Sequence, residues 1–138
     1  MTNVTPLPPP VSVAPSDVVV LPCALQMDFD MSPIARLFAE REMHEAENIV
    51  CRMLEDIALR LDMLQSGMAE QAFAAMQRPA QRIGVIADQI GLLEVATAAG
   101  HVRTCLSQND GVALEATVAR LERSFDVAVS EVWSFRKL

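Results

Sequence analysis

Apolar residues recur at steps of three and four along most of the chain, starting near residue 32. This spacing is typical of one face of an α-helix, and only short polar or glycine-containing stretches interrupt it. The pattern predicts helices over about 33–65, 69–90, 92–106 and 110–135, without a competing strand pattern. Four amphipathic helices joined by short turns bury their apolar faces together when neighbours run antiparallel. The sequence therefore predicts an all-α fold, an antiparallel up-down-up-down four-helix bundle.

Residue types at the predicted helix ends refine these boundaries. Ser32–Pro33 is a capping and first-turn pair, Ser66–Gly67 is expected to end the first helix, and Gly91 is expected to cap the second. Residues 33–65 are compatible with one long helix or with a short helix followed by a longer one, with a break between Glu40 and His44, where the apolar pattern weakens. Pro79 falls inside the second predicted helix. We expect a bend or a local loosening there, because proline removes a hydrogen bond and crowds the preceding turn.

The first 31 residues differ from the rest in composition. Six of the eight prolines lie within the first 22 residues, three of them consecutive at 8–10. Proline supplies neither helical geometry nor a backbone donor. We therefore expect an extended or disordered tail over residues 1–31 and a helical domain over residues 32–138. The apolar run at 18–21 is compatible with a short strand or with an extended segment docked on the domain.

Charge and cysteine usage exclude several classes of function. The formal net charge is −7 and Lys137 is the single lysine, so clustered cations for nucleic-acid binding are missing. Three widely spaced cysteines form no zinc or redox motif. No apolar run is long enough to cross a bilayer, and the first residues do not resemble a secretory signal. We expect a soluble, cytoplasmic protein that binds neither nucleic acid nor membrane.

Residues that could carry catalytic chemistry are few. The histidines are His44 and His101, and neither accompanies a nucleophile motif. On a helix, His44 has potential metal-ligand partners only in Glu47 and Asn48, and a solvated polar face is the simpler interpretation. The few glycines stand singly and form no phosphate-binding loop. The sequence predicts a protein that is not an enzyme and holds no metal or cofactor.

The stretch RPAQRIGVIADQIG, residues 78–91, carries a more specific pattern. Ala80, Ile83 and Gly91 match the alanine, the leucine and the closing glycine in the reactive-helix motif of histidine-containing phosphotransfer (HPt) domains, Ala-His-x-Leu-Lys-Gly. The stretch that follows is similar to the next two helices of that family in its apolar spacing and its Asn-Asp-Gly turn. The resemblance covers about residues 68–135. It implies an HPt-like bundle, whose partners in the family are receiver and histidine-kinase domains.

The reactive residues of the family are missing from this chain. Gln81 stands at the position of the phospho-accepting histidine, Gly84 at that of the lysine and Val85 at that of the next glycine. A glutamine amide is not nucleophilic at neutral pH, and the absent lysine removes positive charge from the phosphoryl site. The resemblance implies a non-catalytic protein that binds a response-regulator receiver or hybrid histidine-kinase domain. The expected partner-binding surface consists of Arg78, Gln81, Arg82, Gly84, Val85, Asp88 and Gln89.

Two other functions stay open from the sequence. The alanine- and methionine-rich composition suits a structural or oligomerising helical module, with the long first helix pairing in a homodimer. True phosphotransfer through His101 or His44 is the other alternative. His101 lies on the neighbouring helix, at least one turn beyond the equivalent position, and the helix of His44 lies at a different place in the family pattern.

Overall fold

The structure is a computed structural model that describes residues 29–136. Within these residues the chain forms five α-helices and one short 3₁₀ helix, and no strand. The α-helices are α1 (Ser32–Glu40), α2 (Met43–Ala69), α3 (Gln77–Gln89), α4 (Leu93–Ser107) and α5 (Gly111–Arg136), and the 3₁₀ helix is Phe73–Met76. The predicted all-α class is confirmed. The proline-rich residues 1–28, including the apolar run at 18–21, lie outside the described part of the chain.

Helices that follow one another in the sequence also pack against one another. α2 packs on α3, α3 on α4 and α4 on α5, while α5 also contacts α2 and α1 packs on α2. Connections of three residues join α3 to α4 and α4 to α5, so these helices reverse direction at each turn. None of the helices within the described range combines the length and apolarity that a membrane crossing requires.

A single apolar cluster lies between the helices, and each α-helix contributes to it. Burying the side chain of a valine, leucine, isoleucine or methionine contributes about 1.5–3 kcal/mol to folding. The largest fully buried side chains are Ile34, Val50, Ile57, Leu64, Met76, Ile83, Ile86, Ile90, Leu92, Val95, Leu114 and Leu121.

The break in the first helix, one of the two expected alternatives, is confirmed. α1 ends at Glu40 and α2 begins at Met43. The side chain of Glu42 caps α2 by accepting a hydrogen bond from the backbone amide of Glu45 at 3.0 Å. Because this carboxylate satisfies an amide that has no partner inside the helix, the second helix can begin at once after the break.

The predicted end of the first helix at Ser66–Gly67 is wrong, because α2 continues to Ala69. Gly67 is buried inside α2, where a Cβ atom would collide with the side chain of Met76. The chain reverses instead at Gln71, which has a φ of 55°, and the next amide donates to the Gly67 carbonyl at 2.8 Å. The glycine therefore serves close packing, and a non-glycine residue takes the left-handed position.

The second predicted helix, 69–90, is not continuous, and its interruption lies before Pro79. The 3₁₀ helix occupies residues 73–76 and α3 begins at Gln77, so Pro79 lies in the first turn of α3. Backbone amides in the first turn have no acceptor within their own helix, and a proline there sacrifices no hydrogen bond. Pro79 thus belongs to the start of a helix.

Gly91 ends α3 as predicted, with a φ of 83°. The amide of Leu92 donates to the carbonyl of Ala87 at 2.8 Å, as in the Schellman motif. The chain before α1 packs on this turn: the amide of Asp30 donates to the Gly91 carbonyl at 2.8 Å, and Phe29 forms an isolated antiparallel bridge with Leu92. The last residues of the predicted tail are therefore part of the helical body.

Candidate functional site

Gln81, the residue that the sequence resemblance aligns with a reactive histidine, lies on the outer face of α3. The opposite face is buried and consists of Pro79, Ala80, Ile83, Ile86 and Ala87. Gln81 itself is exposed, and its side chain does not enter the core. Of the residues predicted to form the partner-binding surface, Gly84 is half-buried, and the exposed ones are Arg78, Gln81, Arg82, Val85, Asp88 and Gln89.

Gln81 and Val85 form a ridge between two open grooves. The first, here called the α2–α3 groove, has a volume of about 600 Å³. The second, the α3–α4 groove, has a volume of about 320 Å³. The α2–α3 groove is lined by Arg60, Met63, Arg78, Pro79, Gln81, Arg82 and Val85. The α3–α4 groove is lined by Ala80, Gln81, Gly84, Val85, Asp88, Ala96, Gly100 and Arg103.

The α2–α3 groove is locally positive, although the net charge of the protein is −7. Three arginines line it, Arg60, Arg78 and Arg82. Asp56 pairs with two of them: one carboxylate oxygen is 2.6 Å from Nη1 of Arg60, and the other is 3.7 Å from Nη2 of Arg82. Arg78 makes no ion pair with any residue in the described range. One carboxylate among three guanidinium groups leaves two positive charges uncompensated.

Apolar side chains are exposed along the same groove. Met63 is 47% exposed on the α2 wall and Val85 is 42% exposed on the α3 wall. Leu59 precedes Met63 by one helical turn and is 55% exposed. Arg60 and Met63 are not among the residues predicted from the sequence, because they belong to α2 and the predicted surface belongs to α3 alone. The available signal was the apolar pair Leu59 and Met63, four residues apart and off the buried stripe of that helix.

Small residues form the floor of the α3–α4 groove. A Cβ atom on Gly84 would lie 3.8 Å from the Cβ of Ala99, an ordinary contact distance, and one on Gly100 would meet nothing within 4 Å. Helix packing therefore does not demand glycine at either position. The lack of side chains leaves space beside Gln81, with Asp88 and Arg103 as the charged groups of the lining.

His101 is exposed on α4 but is not arranged as a free nucleophile. Its Nδ1 lies 3.1 Å from Nη1 of Arg120, and Nη2 of Arg120 is held by Glu94 at 3.1 Å. A guanidinium group can only donate, so Nδ1 must be the accepting nitrogen and a neutral ring carries its proton on Nε2. In this arrangement Arg120 donates to the ring nitrogen that carries the lone pair.

Among the described residues, His44, Cys51 and Cys105 offer no further centre. His44 is exposed in the first turn of α2. Cys51 and Cys105 are free thiols, the first half-buried and the second buried. Among residues 29–136, no three side chains of histidine, cysteine, aspartate or glutamate come together as a metal site. The feature that distinguishes this molecule is thus the surface around Gln81 and its two grooves.

The chain matches no protein-family model, no curated protein and no solved structure. The resemblance to HPt domains therefore depends on the residues of α3 and of the two helices that follow it. Any functional conclusion must be argued from the surface itself.

Proposed function

We propose that this chain is a non-catalytic, HPt-like protein that binds a receiver or histidine-kinase domain and modulates a phosphorelay without carrying phosphate. The observation that carries the proposal is the exposure of Gln81, the residue that the resemblance aligns with the reactive histidine of the family. Its amide cannot accept a phosphoryl group, whereas the exposed residues beside it remain accessible to a partner. By occupying the docking face of that partner, the protein acts as a competitor or a scaffold.

The order of the helices supports this proposal. α2, α3, α4 and α5 pack in sequence order and reverse direction at short turns, and we interpret these four helices as an up-down-up-down bundle of the HPt kind. α1 is then an additional helix packed on α2. In such a bundle the packed helices hold the exposed face of α3 rigidly, which favours recognition by a preformed surface. The proposed role is that of a cytoplasmic protein in an organism with two-component signalling.

The charge around Gln81 also supports the proposal. In the HPt family this face meets the receiver domain at its acidic pocket. Arg78 and Arg82 are exposed on the same side of α3 and lie close to the ridge. Opposite charges across an interface raise the association rate and disfavour wrong partners.

A binding experiment with matched variants tests the proposal. The purified chain is titrated by calorimetry against the receiver and histidine-kinase domains of the same organism. We expect micromolar affinity for at least one of them. Val85→Asp should weaken that affinity at least about tenfold, because a charge enters the centre of the contact. Val112→Asp, at an 86% exposed position that lines neither groove, is the control and should bind normally.

Failure of every receiver and kinase domain to bind at micromolar levels would defeat the proposal.

A phosphorylation experiment is a second, separate test. Incubation with a receiver that carries a radiolabelled phosphoryl group should leave the chain unlabelled. An acid-labile label that disappears in His101→Ala or His44→Ala would establish true phosphotransfer instead.

One observation favours the second candidate function, an oligomerising helical module. Leu59 and Met63 are exposed on consecutive turns of α2, as expected for a helix that pairs with a second copy. Analytical sedimentation separates the two functions. A tight homodimer that Met63→Asp dissociates would bury the α2–α3 groove and would replace the phosphorelay proposal.

A further inference from the structure

We infer that the α2–α3 groove is the docking site for an acidic amphipathic helix of a partner protein. The apolar side chains of that helix contact Met63 and Val85, and its carboxylates contact the arginines of the groove. The inference goes beyond the proposed function, because it specifies the chemistry of the contact and holds for a partner of any family.

The form of the groove suits a helix. Its two walls are neighbouring helices in contact, and a third helix about 10 Å across can lie along the depression between two such walls. Arg60 and Met63 line the groove three residues apart on α2, and Gln81 and Val85 line it four residues apart on α3. Contact positions thus repeat about once per turn on both walls, which matches the spacing of an apolar stripe on a docked helix.

The charge of the groove selects an acidic occupant. Asp56 compensates one charge by pairing with Arg60 and Arg82. Arg78 has no ion-pair partner in residues 29–136, and the side chain of Arg82 is 52% exposed. Carboxylates of an incoming helix can pair with both of these arginines, whereas lysines in the same places would be repelled.

The surface on the other side of Met63 carries negative charge, in contrast to the arginine-lined groove. An adjoining depression is lined by Met63 together with Asp62 and Glu70. The carboxylates of the occupant are therefore expected over the arginine-lined half of the groove, and its acidic residues should be concentrated toward one end of the docked segment.

Other polyanions fit this surface poorly. Three arginines in a chain of net charge −7 cannot neutralise a nucleic-acid backbone, because the rest of the protein repels it. A lipid bilayer is too broad to enter a depression between two helices. A single helix can reach both Met63 and Val85, and it can present apolar and acidic groups side by side.

Three fluorescein-labelled synthetic peptides test the inference by fluorescence anisotropy on the whole protein. The first is a helical peptide with a leucine stripe and flanking glutamates. In the second every glutamate is replaced by lysine, and the third has the composition of the first in scrambled order. We expect the first peptide to bind at least about tenfold more tightly than the other two. Its affinity should fall as salt is added, since exposed charge pairs are screened.

Variants of the protein locate the binding site. Arg78→Glu and Val85→Asp should each weaken the first peptide several-fold, because one reverses an unpaired charge and the other places a carboxylate on the apolar wall. Arg123→Glu is the charge-matched control, since Arg123 is exposed on α5 and does not line the groove. Far-UV circular dichroism establishes that each variant remains folded.

Equal binding of the acidic and basic peptides, or no binding at millimolar concentration, would overturn the inference. A loss of affinity in Arg123→Glu as large as that in Arg78→Glu would overturn it as well. Binding to phosphatidylserine vesicles without binding to any of the peptides would also overturn the inference. Peptide binding without any receiver partner leaves this inference standing and defeats only the proposed function. A receiver that binds Arg78→Glu and the wild-type protein equally well supports the proposed function and overturns this inference.

Discussion

Replacing Gly91 by alanine perturbs the turn that joins α3 to α4. The φ of Gly91 is 83°, and a left-handed conformation costs a residue with a Cβ atom about 1–2 kcal/mol. The new Cβ would also collide with the backbone carbonyl of Asp30. The segment before α1 must then move and lose the hydrogen bond from the Asp30 amide to Gly91, worth about 0.5–1.5 kcal/mol. We expect the free energy of unfolding to fall by about 1.5–3.5 kcal/mol, the sum of these two contributions.

The same substitution at Gly100 provides a control of opposite sign. Gly100 lies on the exposed face of α4, and a Cβ atom there would meet nothing within 4 Å. Alanine in the interior of a helix is more favourable than glycine by about 0.5–1 kcal/mol. Gly100→Ala should therefore raise the free energy of unfolding by about that amount.

Urea unfolding followed by far-UV circular dichroism measures both variants. The dependence of the free energy on urea concentration should be unchanged, because neither substitution alters the surface exposed on unfolding. Equal stability of Gly91→Ala and the wild-type protein would refute this account of the turn. Destabilisation by Gly100→Ala of the same size as by Gly91→Ala would show that the effect is not specific to the turn.

Three further predictions follow from individual side chains. Gln81→His alone should not confer efficient phosphotransfer from a phosphorylated receiver, because the lysine of the family motif is also missing; robust labelling would contradict this. Asp110 caps α5 by accepting from the amide of Ala113 at 3.1 Å, so Asp110→Ala should lower the free energy of unfolding by about 1 kcal/mol, with Asp110→Asn nearly neutral. The pKa of Asp30 is lowered chiefly by a hydrogen bond from the backbone amide of Ser32, at 3.0 Å. Its stabilising contribution is present above its unfolded pKa and is lost as the pH falls through its lower folded pKa; an unchanged acid profile of stability in Asp30→Asn would contradict this.

Helical periodicity was sufficient to predict the all-α class and most helix boundaries. Periodicity gave wrong boundaries where a residue is fixed by a contact with another residue that is distant in the sequence. Gly67 resembles a helix end in sequence, but its role is to admit Met76, which is near it only after the chain has turned. Pro79 resembles a helix interior, because the apolar pattern runs without interruption from the 3₁₀ helix into α3. Spacing alone does not distinguish a 3₁₀ turn from the first turn of an α-helix.

Only the part of the candidate site that lies on α3 could be predicted from the sequence. The periodicity of α3 places Ala80 and Ile83 inside, so Gln81 was expected outside, where the structure has it. The facing wall of the α2–α3 groove comes from α2, about twenty residues earlier. Which turn of α2 lies beside α3 is set by three-dimensional packing, and no pattern within either helix specifies it.

The most direct test of the central claim is a two-dimensional NMR titration of the nitrogen-15-labelled protein with a receiver domain that binds it. The account predicts that the amide signals that change are those of residues 78–89, together with residues 59–63 on the facing wall of α2. Changes confined to α5 or to α1, with the signal of Gln81 unaffected, would contradict it.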